Sequence, residues 1–313
     1  MKTALICSGQ GSQYVGMTKD LAEKYESASK ILERADAAIG YPISTICFNG
    51  PIEKLKETRY TQPALFLHSV IAFELIKNNI SYHAVAGHSV GEYAALYIAN
   101  VLDFEDALNL VSLRGQLMFT AGEDTPGTMF AVINLEDEKV RQVCDKLTED
   151  GDGNVVVPAN FNSPGQVVVS GSADYLRNNI HRFKEAGARL VKELAVSGAF
   201  HSPLMLPAQN KLKQAINSIE FKDAQVPVYS NVHAKPLVSA GEIKSALIEQ
   251  LTAPVLWTQS ILEMYQNGIN KFIEVGAGLV LQGLVKRILD NANISITGID
   301  KAEDVSNFNY QNF

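Results

Sequence analysis

The sequence predicts an α/β fold whose core is interrupted by a second, smaller α/β unit, and three observations carry that reading. A short apolar run, Ala84-Val85-Ala86, leads into Gly87-His88-Ser89-Val90-Gly91. Helix formers follow (Glu92-Tyr93-Ala94-Ala95-Leu96-Tyr97-Ile98-Ala99), making a strand–turn–helix passage. Between about residues 128 and 195 the order becomes β-α-β-β-α-β, the ferredoxin-like pattern. Beyond it the earlier alternation resumes, with strand-like runs over 227–230 and 271–275. The expected organisation is an α/β-hydrolase-like core from residues 1–125 and 198–313, with a ferredoxin-like subdomain over 126–197.

Taken in order, residues 3–7 read as a buried first strand, followed by the loop Gly9-Gln10-Gly11-Ser12-Gln13. Helical patterns then run to about residue 79. One of them, over 64–73, is apolar almost all round and so belongs at the centre of the core. After the serine turn, Asp103 is placed to cap a long helix reaching about residue 118. Within the interruption, strands are expected over 129–133, 155–159, 166–171 and 189–195, and helices over 136–147 and 174–186. Asn162-Ser163-Pro164-Gly165 supplies the turn between the middle strands. The polar tail after about residue 300 is expected to be loosely held.

At 313 residues and 46% hydrophobic content, the chain can bury one large core or two unequal ones. A formal net charge of −7 and no long Lys/Arg run argue against nucleic acid or an anionic membrane as partner. The three cysteines, Cys7, Cys47 and Cys144, are scattered and form no C-x-x-C pair, which fits a reducing compartment. Ala4-Leu5-Ile6-Cys7 is too short for the apolar core of a signal peptide, and no run approaches a membrane span. A cytoplasmic, monomeric protein without a metal site is the expectation.

A serine on a tight strand-to-helix bend holds its hydroxyl exposed, and the flanking glycines permit the close backbone approach such a bend needs. Ser89 is therefore a candidate nucleophile, with the N–H of Val90 free to face a developing oxyanion. A serine nucleophile needs a base, usually histidine. His68 and His181 lie in helical patterns, His83 precedes a strand, and His233 lies in a turn-like segment. His88, adjacent to Ser89, should leave the turn in another direction and support it. His201 stands apart. It follows Ser197-Gly198-Ala199-Phe200 and precedes Ser202-Pro203, a helix start whose positive end would keep the imidazole neutral. It is either the base or a turn histidine.

Arg114 falls on the apolar stripe formed by Ala107, Leu110, Val111, Leu117 and Met118. A guanidinium facing a core requires a carboxylate or comparable partner. That partner is either a ligand held by the planar fork or an Asp or Glu of the chain. Gly115 beside it costs about 1 kcal/mol of helix propensity and implies something packed close. Phosphate-loop readings fail. Gly9-x-Gly11 and Gly276-x-Gly278 are followed by Tyr14 and Leu281 where a dinucleotide fingerprint needs its third glycine, and no G-K-[ST] is present.

Several further motifs occur in a fixed order: Gly9-Gln10-Gly11-Ser12-Gln13, Thr61-Gln62-Pro63-Ala64, Gly87-His88-Ser89-Val90-Gly91-Glu92 and Leu113-Arg114-Gly115 come first. Asn160-Phe161-Asn162-Ser163-Pro164-Gly165-Gln166, Gly198-Ala199-Phe200-His201-Ser202-Pro203 and Glu274-Val275-Gly276 follow. Together they resemble the malonyl-CoA:acyl-carrier-protein transacylases over nearly the whole chain. The resemblance implies that Ser89 takes the malonyl group from coenzyme A as an ester, with His201 as general base and then acid. It implies that a backbone carbonyl at Gln250 orients His201, and that the N–H groups of Gln10 and Val90 form the oxyanion hole. Arg114 would hold the malonyl carboxylate, while Met118 and Phe200 line the acyl pocket. Phe200 stands where serine accompanies methylmalonyl in related acyltransferases. The implied partners are malonyl-CoA and an acyl carrier protein bearing phosphopantetheine; no cofactor is implied beyond the coenzyme A thioester. Ser8 and Ala277 replace two prolines usual in the family, and both bear on loop rigidity rather than chemistry.

Two other readings share some of these features. A free-standing acyltransferase of a polyketide assembly line would differ mainly in its carrier. A serine hydrolase would carry more strands before its nucleophile and an HGGG-type loop, and would have no use for Arg114.

Overall fold

The computed structural model describes residues 2–290 and 292–310. Along the described chain the strands are β1 (Lys2–Cys7), β2 (Ala84–Gly87), β3 (Gly127–Ile133), β4 (Val156–Ser163) and β5 (Gln166–Ser172). They continue with β6 (Leu190–Glu193), β7 (Val228–Tyr229), β8 (Pro236–Leu237), β9 (Ile269–Val275) and β10 (Ser295–Ile299). They form two sheets, of order β10-β9-β1-β2-β7-β8 and β4-β5-β3-β6.

The first sheet is parallel from β10 to β7, with β8 antiparallel at one edge. Its two middle strands carry unbroken apolar runs over 4–7 and 84–86, as strands covered on both faces do. The alternation of side chains divides the core in two. Leu5, Cys7, Val85, Ile273 and Val275 face one apolar cluster, and Ala4, Ile6, Ala84, Ala86 and Phe272 face the other. On the first side lie the helices Thr58–Ile76 and Phe104–Asp124; on the second lie Trp257–Gln266 and Val280–Ile288.

The helix Thr58–Ile76 is buried almost all round, as its composition requires. Each fully buried side chain such as Phe66 or Leu67 contributes roughly 1.5–3 kcal/mol. A Cβ at Gly115 would stand 2.9 Å from the Thr58 carbonyl oxygen, so this glycine lets the two long helices meet closely. Asp103 caps the helix Phe104–Asp124 through Asp106 N–H at 3.0 Å, and the helix runs two turns past the expected end near residue 118.

The second sheet is antiparallel throughout, and its order is that of the ferredoxin-like pattern. Phe130, Val132, Val167, Val169 and Phe161 face a separate core beneath the helix Asp137–Glu149. The neighbouring residues Met129, Val168 and Ala159 point the other way, into the first cluster. The helix expected over 174–186 is broken at Ile180 into Ala173–Asn179 and His181–Glu185. The last strand ends at Glu193, two residues short of expectation. Val255 N–H and the Phe161 N–H exchange bonds with the carbonyls of Ala159 and Val255, at 2.8 and 2.9 Å, joining β4 to the segment after residue 250.

The tail after about residue 300 is held up to residue 310, contrary to expectation. β10 pairs with β9, the helix Ala302–Asn307 follows, and Tyr14 Oη–H and His68 Nε2 meet Asp300 Oδ1 at 2.8 and 3.0 Å. The end of the expected tail, residues 311–313, lies outside the described residues. No helix among the described residues is long and apolar enough to cross a membrane.

Candidate active site

Gln10, Ser89 and Asn231 follow the carboxyl ends of β1, β2 and β7, the end of a parallel sheet where ligands bind. Ser89 itself has φ 53°, in the left-handed region, which costs a non-glycine residue about 1–2 kcal/mol. Asn231 holds it there. Its Oδ1 accepts the Ser89 N–H at 2.7 Å and its Nδ2 donates to the Gly87 carbonyl at 2.7 Å. A Cβ at Gly87 would overlap the Gly91 carbonyl, and one at Gly91 would overlap that of Cys7. The bend therefore needs both glycines.

His201 Nε2 lies 2.8 Å from Ser89 Oγ. The other ring nitrogen, Nδ1, meets the carbonyls of Gln250 and Ala253 at 2.9 and 3.2 Å. Carbonyls only accept, so Nδ1 carries the hydrogen and Nε2 presents its lone pair to the serine hydroxyl. Burial, and then the charge of Arg114, push the imidazole down to about 3, so the ring is neutral at physiological pH. His201 also has φ 56°, so both members of the pair sit in strained backbone.

Arg114, 1% exposed, comes to the same place from the helix Phe104–Asp124. Its Nη1 donates to Gln62 Oε1 at 2.8 Å, and its Nη2 to Gln250 Oε1 at 3.0 Å and to Ser89 Oγ at 3.1 Å. All three acceptors are neutral. The chain's own carboxylates supply no salt bridge to it among the described residues. Burial lowers its affinity for a proton, as expected of a guanidinium without a counter-ion at contact distance.

The turn also supplies a free donor. The N–H groups of Ser89, Gly91, Glu92 and Tyr93 all have acceptors (Asn231 Oδ1 and the carbonyls of His88, Ser89 and Val90). The N–H of Val90, at the helix start, has none among the described residues. Ser89 and His201 open on a cavity of about 140 Å³. One wall is apolar (Met118, Met129, Val168, Leu194, Val196 and Phe200), and Gln10, His88, Asn160 and Asn162 supply polar groups. His88 points away from the serine, its Nε2 2.8 Å from Asn162 Oδ1.

Residues 4–308 match the model of the acyl transferase domain. The chain belongs to the acyl transferase family. The malonyl CoA-acyl carrier protein transacylase of Bacillus subtilis is 42% identical over 288 residues, 92% of this chain and 90% of that relative. An acyl carrier protein S-malonyltransferase from Vibrio cholerae superposes with a TM-score of 0.91 at 40% identity, covering 98% of this chain and 99% of that one. A malonyl-transacylase in complex with its type II PKS acyl-carrier protein gives a TM-score of 0.93 at 36% identity, covering both chains fully.

The acyltransferase fold brings together every site residue read from the sequence. Ser89, His201, Arg114 and Gln250 are joined by hydrogen bonds, and Gln10, Met118, Phe200 and His88 line the cavity. Sequence reasoning assigned no part to Asn231, Glu92, Gln62 or Asn160. Gln62, Glu92 and Asn160 lie inside motifs it singled out, and Asn231 lies two residues past β7. Ser8 shows why its loop tolerates a non-proline. Its hydroxyl donates to Glu274 Oε1 at 3.2 Å, and Glu274 in turn accepts the N–H groups of Leu281 and Gln282.

Proposed function

We propose that this chain transfers the malonyl group of malonyl-CoA to the phosphopantetheine thiol of an acyl carrier protein, through an ester on Ser89. The observation that carries the reading is Arg114: a buried cation with only neutral partners, beside a serine already paired with a neutral histidine. A ligand carboxylate would complete its charge pairing, and malonyl is an acyl group that brings one. The names of the relatives support the same substrate and carrier.

In the first half-reaction His201 Nε2 takes the Ser89 proton as Oγ attacks the thioester carbon. The tetrahedral oxyanion is met by the N–H groups of Val90 and Gln10. Collapse expels coenzyme A, whose thiolate receives the proton from His201. The carrier thiol then gives its proton to His201 and attacks the ester carbonyl, and collapse returns the proton to Ser89 Oγ. The Gln250 carbonyl keeps the imidazole in one tautomer through both halves.

Intact-protein mass spectrometry tests this. Malonyl-CoA should add one malonyl group to the wild type and none to Ser89→Ala, and a phosphopantetheinylated carrier should then remove it. Decay to free malonate without a carrier would make the enzyme a hydrolase. Presenting fatty-acid and type II polyketide carriers in parallel separates the two carrier classes by rate.

A further inference from the structure

Glu92 is 3% exposed, in the first turn of the helix Gly91–Ile98, and the steps above make no use of it. An acid in a first helical turn gains from the helix dipole while still solvated. Glu92 is instead buried, where a carboxylate is costly unless donors surround it. Its Oε2 accepts from two separate segments, Gln250 Nε2–H at 2.7 Å and the Asn231 backbone N–H at 3.3 Å.

Each segment passes on to the reacting groups. Asn231 clamps the backbone on both sides of the bend at Ser89. Gln250 does more. Its Nε2 also donates to the Ser89 carbonyl at 3.0 Å, its backbone carbonyl orients His201, and its Oε1 receives Arg114 Nη2–H.

The direction of the Gln250 amide matters here. A side-chain amide has a donor end and an acceptor end; a guanidinium can only donate, and Glu92 Oε2, which already receives the Asn231 N–H, can only accept, any proton the acid takes up resting on Oε1. Standing between Glu92 and Arg114, the amide has one satisfactory orientation: NH₂ toward the acid and oxygen toward the arginine. Reversed, it would set oxygen against oxygen and N–H against N–H. Glu92 and Arg114, with no salt bridge between them, thus fix each other through one neutral side chain.

We propose that Glu92 is a positioning residue for malonyl recognition, holding the Gln250 amide so that its oxygen keeps the Arg114 guanidinium turned toward Ser89. The inference rests on the reading that Ser89 carries malonyl and Arg114 meets its carboxylate.

Glu92→Gln tests it, because glutamine keeps the shape but can itself donate, which frees Gln250 to reverse. The KM for malonyl-CoA should rise by about ten- to hundredfold, the range for loss of one hydrogen bond to a charged group, with a smaller change in kcat. The preference for malonyl over acetyl, measured as the ratio of adduct rates from the two CoA esters, should fall with it. Wild type without a malonyl adduct would overturn the underlying reading. A normal wild type beside a Glu92→Gln variant of unchanged KM and preference would overturn the Glu92 inference alone. So would equal losses for both acyl groups, the mark of a merely structural role. If Glu92→Gln does not fold, Glu92→Asp carries the test, since aspartate keeps a carboxyl oxygen to accept the Gln250 N–H. A kept malonyl preference supports the inference, and a preference lost in a folded Asp variant overturns it.

Discussion

Arg114 Nη2 and Ser89 Oγ lie 3.1 Å apart, so the buried cation and the proposed nucleophile are in direct contact. The same hydroxyl faces His201 Nε2 at 2.8 Å. An acyl group on Ser89 therefore grows beside the guanidinium, and a carboxylate one methylene beyond the ester carbonyl reaches it with little extension. Arg114→Ala should cost malonyl transfer about 10²–10⁴-fold, the loss of two hydrogen bonds to a charged group. Acetyl transfer should fall by no more than about tenfold, because a methyl group makes neither bond. Adduct rates from the two CoA esters check this, and equal losses would remove the carboxylate-binding role.

The cavity on which Ser89 opens is lined by Met118 and Phe200, 2% and 4% exposed. A branch on the malonyl α-carbon must find room against these side chains, and one extra carbon in an apolar pocket is worth about 10–200-fold in discrimination. Phe200→Ser opens that wall. Methylmalonyl-CoA should then gain at least about tenfold on malonyl-CoA in a competition read by mass spectrometry. An unchanged ratio would move the specificity away from Phe200.

Much of this architecture was legible in the chain because each feature carried a local cost. The bend at Ser89 needs two glycines, and both stood in view. Arg114 was visible as a charge on an apolar stripe, and Gly115 as a poor helix former beside it. The second sheet announced itself through regular alternation, with Phe130 and Val132 on one face and Met129 on the other. What stayed hidden depends on distant segments meeting. Asn231 and Glu92 are ordinary polar residues until the fold sets them side by side, 139 positions apart in sequence. Gln250 acts through its backbone carbonyl as well as its side chain, and a backbone carbonyl leaves no mark in a sequence; only the family resemblance pointed to it. β10 was missed for another reason. Ser295–Ile299 is a half-buried edge strand containing Gly298, without clear alternation, and it pairs with β9 along its whole length.

His201 should be needed in both halves of the reaction, since it first receives and then returns a proton. His201→Ala should slow malonyl-ester formation by about 10²–10⁴-fold, the usual contribution of a positioned general base. The residual rate reflects the oxyanion donors and binding alone. Stopped-flow or quenched-flow measurement of adduct formation distinguishes this from slower carrier binding. A near-normal rate would turn attention to His88, the other histidine lining the cavity.

The buried histidine also makes stability depend on pH in a stated direction. In the folded chain His201 is held down to about 3, against an ordinary value of 6.5. Between those values the unfolded chain binds the proton and the folded chain does not, so acidification favours unfolding. From pH 7 to pH 5 this one residue removes about 2 kcal/mol of stability. Glu92 and Glu274 work the other way. Burial raises both to about 7, so between about 4.5 and 7 the folded chain binds their protons more readily and gains stability as pH falls. The contribution of His201 is therefore isolated by comparing wild type with His201→Gln. Urea denaturation at pH 7 and pH 5 should show the wild type losing about 2 kcal/mol more than the variant. Equal losses would mean that the ring is protonated without penalty in the folded chain, and that its neutrality is not secured by burial beside Arg114.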